Sequence, residues 1–322
     1  MRKTDSSENP HSEELNFIRN RFMSMKRWSR GGKRAPHKPL LALLAIVRCL
    51  KGYDRLTAYE ELRRELLPLL QEFAPYQSSL RPEYPFWRMK NDRQIWEIPN
   101  QANVEINSSG DASSKNLLEA RIEAGFPEII YEAFRSNPDF AFSLAHELVN
   151  AHFPETLHER ILQAAGMAEA ANLTQADRNK IWVRKSARDS KFRERVLTAY
   201  NNRCAVCRYS MRICEDLVGL EAAHIKWHQH RGPDIVQNGV ALCSIHHKLF
   251  DSGAFTFTPD LSIFVSVLVS GSGRPEWLDR FNGKSFQLPA DESLLPAEEF
   301  LAWHGRDVFR GPSPALQVRS KS

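Results

Sequence analysis

Two pairs of potential metal ligands, Cys204 with Cys207 and Cys243 with His246, constrain this chain more than anything else in its sequence. Each pair encloses two residues, the spacing at which a tight turn aims both ligand atoms at one ion, and thiolate and imidazole are the ligands that tetrahedral Zn²⁺ prefers. The two knuckles predict a Cys3His site that staples the residues between 204 and 246 into a small module. Four protein ligands close a tetrahedral sphere, so such a zinc holds structure and leaves hydrolysis to other residues. The remaining cysteines, Cys49 in an apolar helical run and Cys214 in a loop-like stretch, read as incidental thiols.

The 322-residue chain is long enough for two domains, each with its own core, and 42% hydrophobic with 26% charged residues is a globular balance. The longest apolar run, Leu40 to Val47, falls far short of the roughly 20 residues of a membrane-spanning helix, and the polar start Met1-Arg-Lys-Thr-Asp-Ser-Ser-Glu has no signal core. A cytoplasmic protein without a membrane partner is expected. The net charge is only +5, but ten Lys or Arg and no acid lie between Leu15 and Tyr53, and ten more between Arg178 and Arg208 against Asp189 and Glu194. Clustered cations gain from counterion release on a phosphate backbone, so each half offers a surface for a polyanion.

The pattern predicts a basic helix over Leu15–Trp28, a buried helix over Leu40–Leu50, and a third opened by a capping box at Thr57-Ala-Tyr-Glu60. Phe86-Trp-Arg-Met and Gln94-Ile-Trp-Glu-Ile98 alternate around Lys90-Asn-Asp-Arg93 and predict a hairpin, which after the helices suggests a winged-helix plan. Further helices are expected at about 115–124, 127–136 and 139–151, the last capped by Asn137-Pro138, and another is capped at Thr156-Leu-His-Glu159. The amphipathic pattern fades over 166–172, which places the boundary between domains 1–170 and 171–322. A basic helix, Ala176 to Tyr200, opens the second domain, and strand-like sequence follows Asp251.

Between the knuckles, Glu221-Ala-Ala-His224-Ile puts a histidine on a strand, and His247 lies on the helix begun by the second knuckle. His247 and Asp251 are four apart, stacked on one helix face and able to share a divalent ion, although Asp251 reads equally well as a helix end. A neutral imidazole to take a proton from water, facing an ion that stabilises the phosphorane and the leaving 3′ oxygen, is the minimum for phosphodiester hydrolysis. Asn238-Gly239 is also a strong hairpin-turn signal.

The segment 204–251 resembles the zinc-stapled branch of the HNH, or ββα-metal, nuclease family, with His224, Asn238 and His247 on its three signature positions. The resemblance implies that His224 is the general base, that Asn238 orients the base or the loop, and that His247 holds a catalytic Mg²⁺ or Mn²⁺. Many HNH proteins carry an acid or histidine directly before the base, where this chain has Ala223; Glu221 on the same strand face is a candidate substitute. His228 and His230, near Lys226 and Arg231, read as neighbours of the DNA backbone.

The first half, through Arg34-Ala-Pro-His37-Lys38-Pro39 and Arg81-Pro-Glu-Tyr84-Pro85-Phe86-Trp87, is similar to the sulfur-binding domain that precedes HNH modules in restriction enzymes for phosphorothioate-modified DNA. A phosphate with sulfur in place of oxygen presents a larger, more polarisable and less hydrated edge. Tyr84 and Pro85 could form an apolar dent for it, His37 and Lys38 hold the remaining charge, and Lys33 and Arg34 grip adjacent phosphates.

The fold class expected is α+β: a mostly helical, winged-helix-like DNA-binding domain followed by a zinc-stapled ββα-metal nuclease domain. The function the resemblance implies is a modification-dependent (type IV) restriction endonuclease that binds phosphorothioated double-stranded DNA and cuts nearby by a one-metal mechanism. Because the chain has one active site, cutting both strands suggests that two copies cooperate as a homodimer. The competing readings are an HNH nuclease that reads another mark, such as a methylated base, and a zinc-stapled DNA-binding regulator without catalysis.

Overall fold

The computed structural model describes residues 10–25, 29–30, 33–34, 36–75, 79–92, 94–174, 190–214 and 216–312. The chain divides into two compact units: Met1–Glu72, Ser79–His152 and Arg160–Arg184 form one, and Phe73–Ser78, Phe153–Glu159 and Lys185–Ser322 the other. Among the described residues no helix is long and apolar enough to cross a membrane.

The first unit is built on helix α2, His37–Leu50, which follows α1, Pro10–Met23, and the two-residue strands β1, Ser29–Arg30, and β2, Lys33–Arg34. Leu40, Leu41, Ala42, Leu43, Leu44, Ile46 and Val47 are all buried, so α2 is apolar on nearly every face and is wrapped by other helices. Its one deeply placed charge, Arg48, is held by Glu61 at 2.8 Å and Glu65 at 2.6 Å. Both carboxylates come from α3, Tyr59–Phe73. Proline 39 sits in the first turn of α2, where a missing N–H costs nothing.

Strands β3, Leu56–Ala58, and β4, Glu123–Gly125, pair antiparallel. Thr57 therefore lies in a strand and does not cap α3, because its backbone is committed to the pairing with Ala124. The helix expected at 115–124 is shorter for the same reason: α5 covers only Ser114–Glu119 before β4 begins. Helices α6, Glu128–Ser136, and α7, Pro138–His152, follow the sequence reading closely.

Among the described residues the expected hairpin over 86–98 does not form; Glu83–Arg88 is helix α4 and continues into a 3-10 turn, Met89–Asn91. Phe86, Trp87 and Trp96 are buried in three dimensions instead of along one sheet face. The Phe86 ring packs edge-on against Tyr59 and Trp96, and the two indoles donate to Gly110 O and Phe86 O. Aromatic alternation here records core packing, which overrides a modest strand propensity. The winged-helix plan loses its wing, while the α+β class stands.

Helices α8, Glu155–Ala164, and α9, Met167–Thr174, come next. The stretch that loses its amphipathic pattern is thus helical, and α9 packs on α2. Of the basic helix expected over 176–200, residues 176–189 lie outside the described residues, and α10 covers Ser190–Ala199.

In the second unit a small hairpin, β5 at Met211–Ile213 and β6 at Asp216–Val218, precedes the central pair. Strands β7, Leu220–His224, and β8, Gly239–Cys243, run antiparallel in a register that sets Leu220 opposite Cys243 and His224 opposite Gly239. Cys243 passes directly into helix α11, Ser244–Asp251, completing a ββα unit. Helix α10 packs on both strands. A Cβ at Gly239 would lie 2.4 Å from Cγ2 of Val196 on α10, so only glycine admits this approach. Strands β9, Phe255–Phe257, and β10, Ile263–Val265, and helix α12, Glu298–Asp307, enclose a core of Phe250, Phe255, Phe257, Phe286 and Phe300.

Candidate functional site

The ligand atoms of Cys204, Cys207, Cys243 and His246 all lie within 4.8 Å of one another. Cys207 and Cys243 sulfurs are 3.9 Å apart, and Nδ1 of His246 lies 3.2 Å from Cys243 and 3.8 Å from Cys204. Sulfurs about 2.3 Å from a tetrahedral ion must be near this separation, so the cluster fits zinc. Nε2 of His246 lies 2.9 Å from the carbonyl of Trp277. As that carbonyl can only accept, Nε2 carries the proton and Nδ1 turns its lone pair to the sulfurs, which is how an outer carbonyl orients a metal-binding histidine.

His224 ends β7 and is partly buried. Its ring stacks on Phe192 of α10, with centroids 4.1 Å apart and planes 14° from parallel, and Nε2 lies 2.8 Å from Oδ1 of Asp234. Burial lowers its pKa, and the hydrogen bond and charge of Asp234 only partly oppose this. The shift favours the neutral ring, the form a proton acceptor needs.

Asn238 is fully buried. Oδ1 accepts from the N–H of Lys226 at 2.8 Å, while Nδ2 donates to the carbonyls of Lys226 and Pro233, both at 3.0 Å. This side chain closes the 225–238 connection into a fixed loop, whereas a two-residue turn at Asn238-Gly239 is ruled out by the length of that connection. Gly232 belongs to the same closure, because a Cβ there would meet the Lys226 carbonyl oxygen at 1.8 Å.

His247 is held at both nitrogens: Nδ1 is 2.6 Å from Glu221 Oε2, and Nε2 is 3.2 Å from Asp251 Oδ2. Burial pulls its pKa down, but Asp251 and Glu221 outweigh burial and push it up to about 9. Asp251 is buried, and it also accepts from the Trp227 indole at 3.1 Å and from the Thr156 hydroxyl. Thr156 is consequently not a helix cap; it lies inside α8 and spends its hydroxyl on this carboxylate. Once Nε2 gives up its proton, this imidazole nitrogen and the carboxylate oxygen 3.2 Å from it form a donor pair suited to a hard or borderline divalent ion. Glu221 occupies both oxygens inside the protein, since Oε1 accepts from Ser244 at 2.8 Å. Ala223 is fully buried. Of the two other loop histidines, His228 is exposed and His230 packs against Trp303, with ring centroids 5.2 Å apart.

In the first unit, the residues singled out at the start of α2 and on α4 lie on elements that pack together. His37 is mostly buried, its pKa is pushed down to about 4 by burial, and Nε2 has no hydrogen-bond partner among the described residues. Lys38 is paired with Asp92 at 2.5 Å, so its charge is already met inside the protein. Pro85 is buried and Tyr84 half-buried. The guanidinium of Arg88 lies 4.2 Å over the Tyr84 ring and is itself held by both oxygens of Asp111, at 2.7 and 2.5 Å. The side chains of Lys33 and Arg34 lie outside the described residues; their backbones form β2.

Sequence reasoning missed Arg88, Asp92 and Asp234. The four-residue interval from Tyr84 to Arg88 on one helix was a signal for the first. Asp92 and Asp234 meet their partners only through the tertiary fold.

Residues 16–170 match the model of the ScoMcrA-like DNA sulfur-binding domain, and residues 204–258 match that of the HNH endonuclease. The chain thus carries a sulfur-binding domain of the ScoMcrA-like family together with an HNH endonuclease domain, and it is a nuclease. The sulfur-binding domain of ScoMcrA solved with phosphorothioated DNA is 24% identical, covering 48% of this chain and 97% of that one, with a TM-score of 0.41. The type IV phosphorothioation-dependent restriction endonuclease ScoMcrA is 23% identical over 51% of this chain and 38% of its own, with a TM-score of 0.40. The sulfur-binding domain of SprMcrA, also with phosphorothioated DNA, is 16% identical over 50% of this chain and 99% of that one, with a TM-score of 0.42. The curated proteins contain no match.

Proposed function

We propose that this protein is a type IV restriction endonuclease, reading phosphorothioated double-stranded DNA through residues 1–170 and hydrolysing nearby phosphodiester bonds through residues 171–322. The observation that carries this reading is the union in one chain of a sulfur-binding domain match with an HNH match whose His224 is partly open to solvent and bonded to Asp234.

In this reading His224 is the general base and takes the proton of the attacking water. Asn238 holds the loop behind it, and His247 with Asp251 are the ligands of one Mg²⁺ or Mn²⁺. That ion, when bound, supplies positive charge to the scissile phosphate and the leaving 3′ oxygen. The zinc of Cys204, Cys207, Cys243 and His246 is structural. Tyr84 and Pro85 line the sulfur site with His37, which acts as a neutral hydrogen-bonding ring; Lys38 adds field from within its pair with Asp92, and Lys33 and Arg34 bind neighbouring phosphates. Two copies cooperate for a double-strand break.

The test compares plasmid establishment, with and without the modification, in cells making the protein, alongside cleavage of matched duplexes by purified protein with Mn²⁺. Selective loss and cutting of modified DNA, abolished by His224→Ala without loss of binding, is the expected result. Equal survival of the two plasmids overturns the sulfur reading, and binding without any cutting favours the non-catalytic regulator.

A further inference from the structure

Asp234 belongs to neither the metal cluster nor the signature positions, yet it is the side chain most directly bonded to the proposed base. Its Oδ1 stands 2.8 Å from Nε2 of His224, while Nδ1 of His224 has no hydrogen-bond partner among the described residues. We propose that Asp234 is the positioning residue of this base: it accepts the Nε2 proton, fixes the tautomer that leaves the Nδ1 lone pair for water, and stabilises the imidazolium that forms. The inference rests on the reading of His224 as general base.

Three independent features support it. The Phe192 ring covers one face of the imidazole, which fixes the ring plane but not its rotation within that plane; a hydrogen bond in the plane is what sets the rotation. The backbone around Asp234 is pinned on both sides, by Asn238 at the Pro233 carbonyl and by Arg195 Nη2 at the Asp234 carbonyl, 2.8 Å away. A carboxylate on a fixed loop costs little reorganisation when charge appears beside it. The competing imidazole, His228, is exposed and its Nδ1 lies 3.7 Å from the same oxygen, beyond hydrogen-bond range.

The surrounding charges agree with this role. Burial weakens His224 as a base; Asp234 and the more distant Asp251 strengthen it, and His228 weakens it. During the reaction a water proton passes to Nδ1, the resulting hydroxide forms the new bond to phosphorus, and the bond to the 3′ oxygen breaks with its electron pair on that oxygen, which takes a proton from solvent. Nε2–H stays on the imidazolium, hydrogen-bonded to an Asp234 that remains ionised.

The test joins a spectroscopic and a kinetic measurement on the full chain. In wild-type protein, ¹⁵N imidazole shifts should report His224 as the Nε2–H tautomer at neutral pH, and Asp234→Asn, whose amide can donate to Nε2, should move it toward Nδ1–H. Single-turnover cutting by Asp234→Asn should fall by about 100-fold or more, with DNA affinity and zinc content unchanged. The acid limb of its residual activity should shift to lower pH because the carboxylate no longer raises the proton affinity of His224. An Nδ1–H tautomer in the wild type overturns the proposal, as does wild-type cutting and an unshifted limb in Asp234→Asn while His224→Ala is inactive. Wild-type cutting by His224→Ala instead removes the general-base reading on which the proposal stands.

Discussion

Glu221 Oε2 stands 2.6 Å from Nδ1 of His247, and the other nitrogen of that ring faces Asp251. Glu221 thereby sits behind the histidine and not beside Ala223 as a replacement ligand, since both its oxygens are engaged, by His247 and by Ser244. A carboxylate in this place fixes the ring so that Nε2 is the nitrogen offered to an ion.

Glu221→Gln should weaken Mn²⁺ binding by about 10- to 100-fold, read by titration calorimetry or electron paramagnetic resonance. Zinc content should stay at the wild-type level, because Glu221 is not one of the four residues of the Cys3His cluster. Unchanged Mn²⁺ affinity would show that Glu221 serves packing alone.

Removal of the zinc staple should unfold the ββα unit. Cys207→Ala leaves three ligands, and structural zinc sites of this kind supply folding free energy directly. We expect zinc stoichiometry to drop, measured by metal analysis, and the cooperative unfolding transition of the second unit to be lost in calorimetry, with the transition of the first unit retained.

Asn238→Ala deletes three hydrogen bonds in a fully buried place and strands the Lys226 N–H and two carbonyls. A group left without a partner costs about 1–3 kcal/mol where it is shut off from water and less where water reaches it. A loss of about 1–3 kcal/mol in urea unfolding of the second unit is expected, together with faster amide exchange at Lys226. A variant as stable as the wild type would contradict the role of this side chain in closing the loop.

His304 should make the second unit acid-sensitive. It is fully buried, stacks on Phe250 with ring centroids 3.7 Å apart, and burial pushes its pKa down to about 3. With the folded value below the unfolded value of about 6.5, its neutral form contributes stability above pH 6.5 that is lost as pH falls toward 3. The loss at pH 5 relative to pH 8 is about 2 kcal/mol by linkage. Denaturant midpoints of the wild type and of His304→Phe over this range should diverge, the variant showing the flatter dependence; parallel curves would remove His304 as the cause.

Much of the framework is legible one residue at a time. The paired two-residue spacings foretold a cluster that assembles within 4.8 Å, and the apolar run around Leu40–Leu50 foretold the buried helix at the centre of the first unit. Local pattern failed where backbone pairing or core packing outweighed it. Thr57 looked like a cap and became a strand residue opposite Ala124, and the alternating aromatics of 86–98 became a helix and a packed cluster.

By itself, then, the sequence determined the ligand chemistry: which residues can bind zinc, which histidines lie near the ββα hairpin, and where cations concentrate. Those properties reside in residue type and short spacing, and they survive in any chain that folds at all. Only the tertiary structure decided the partners of those groups. Lys38 with Asp92, His247 with Glu221, Asp251 with Thr156, and His224 with Asp234 are pairings across 54, 26, 95 and 10 positions. Hydrogen-bond reach is about 3 Å in space and has no period along the chain, so such pairs leave no mark in the sequence until the fold brings them together.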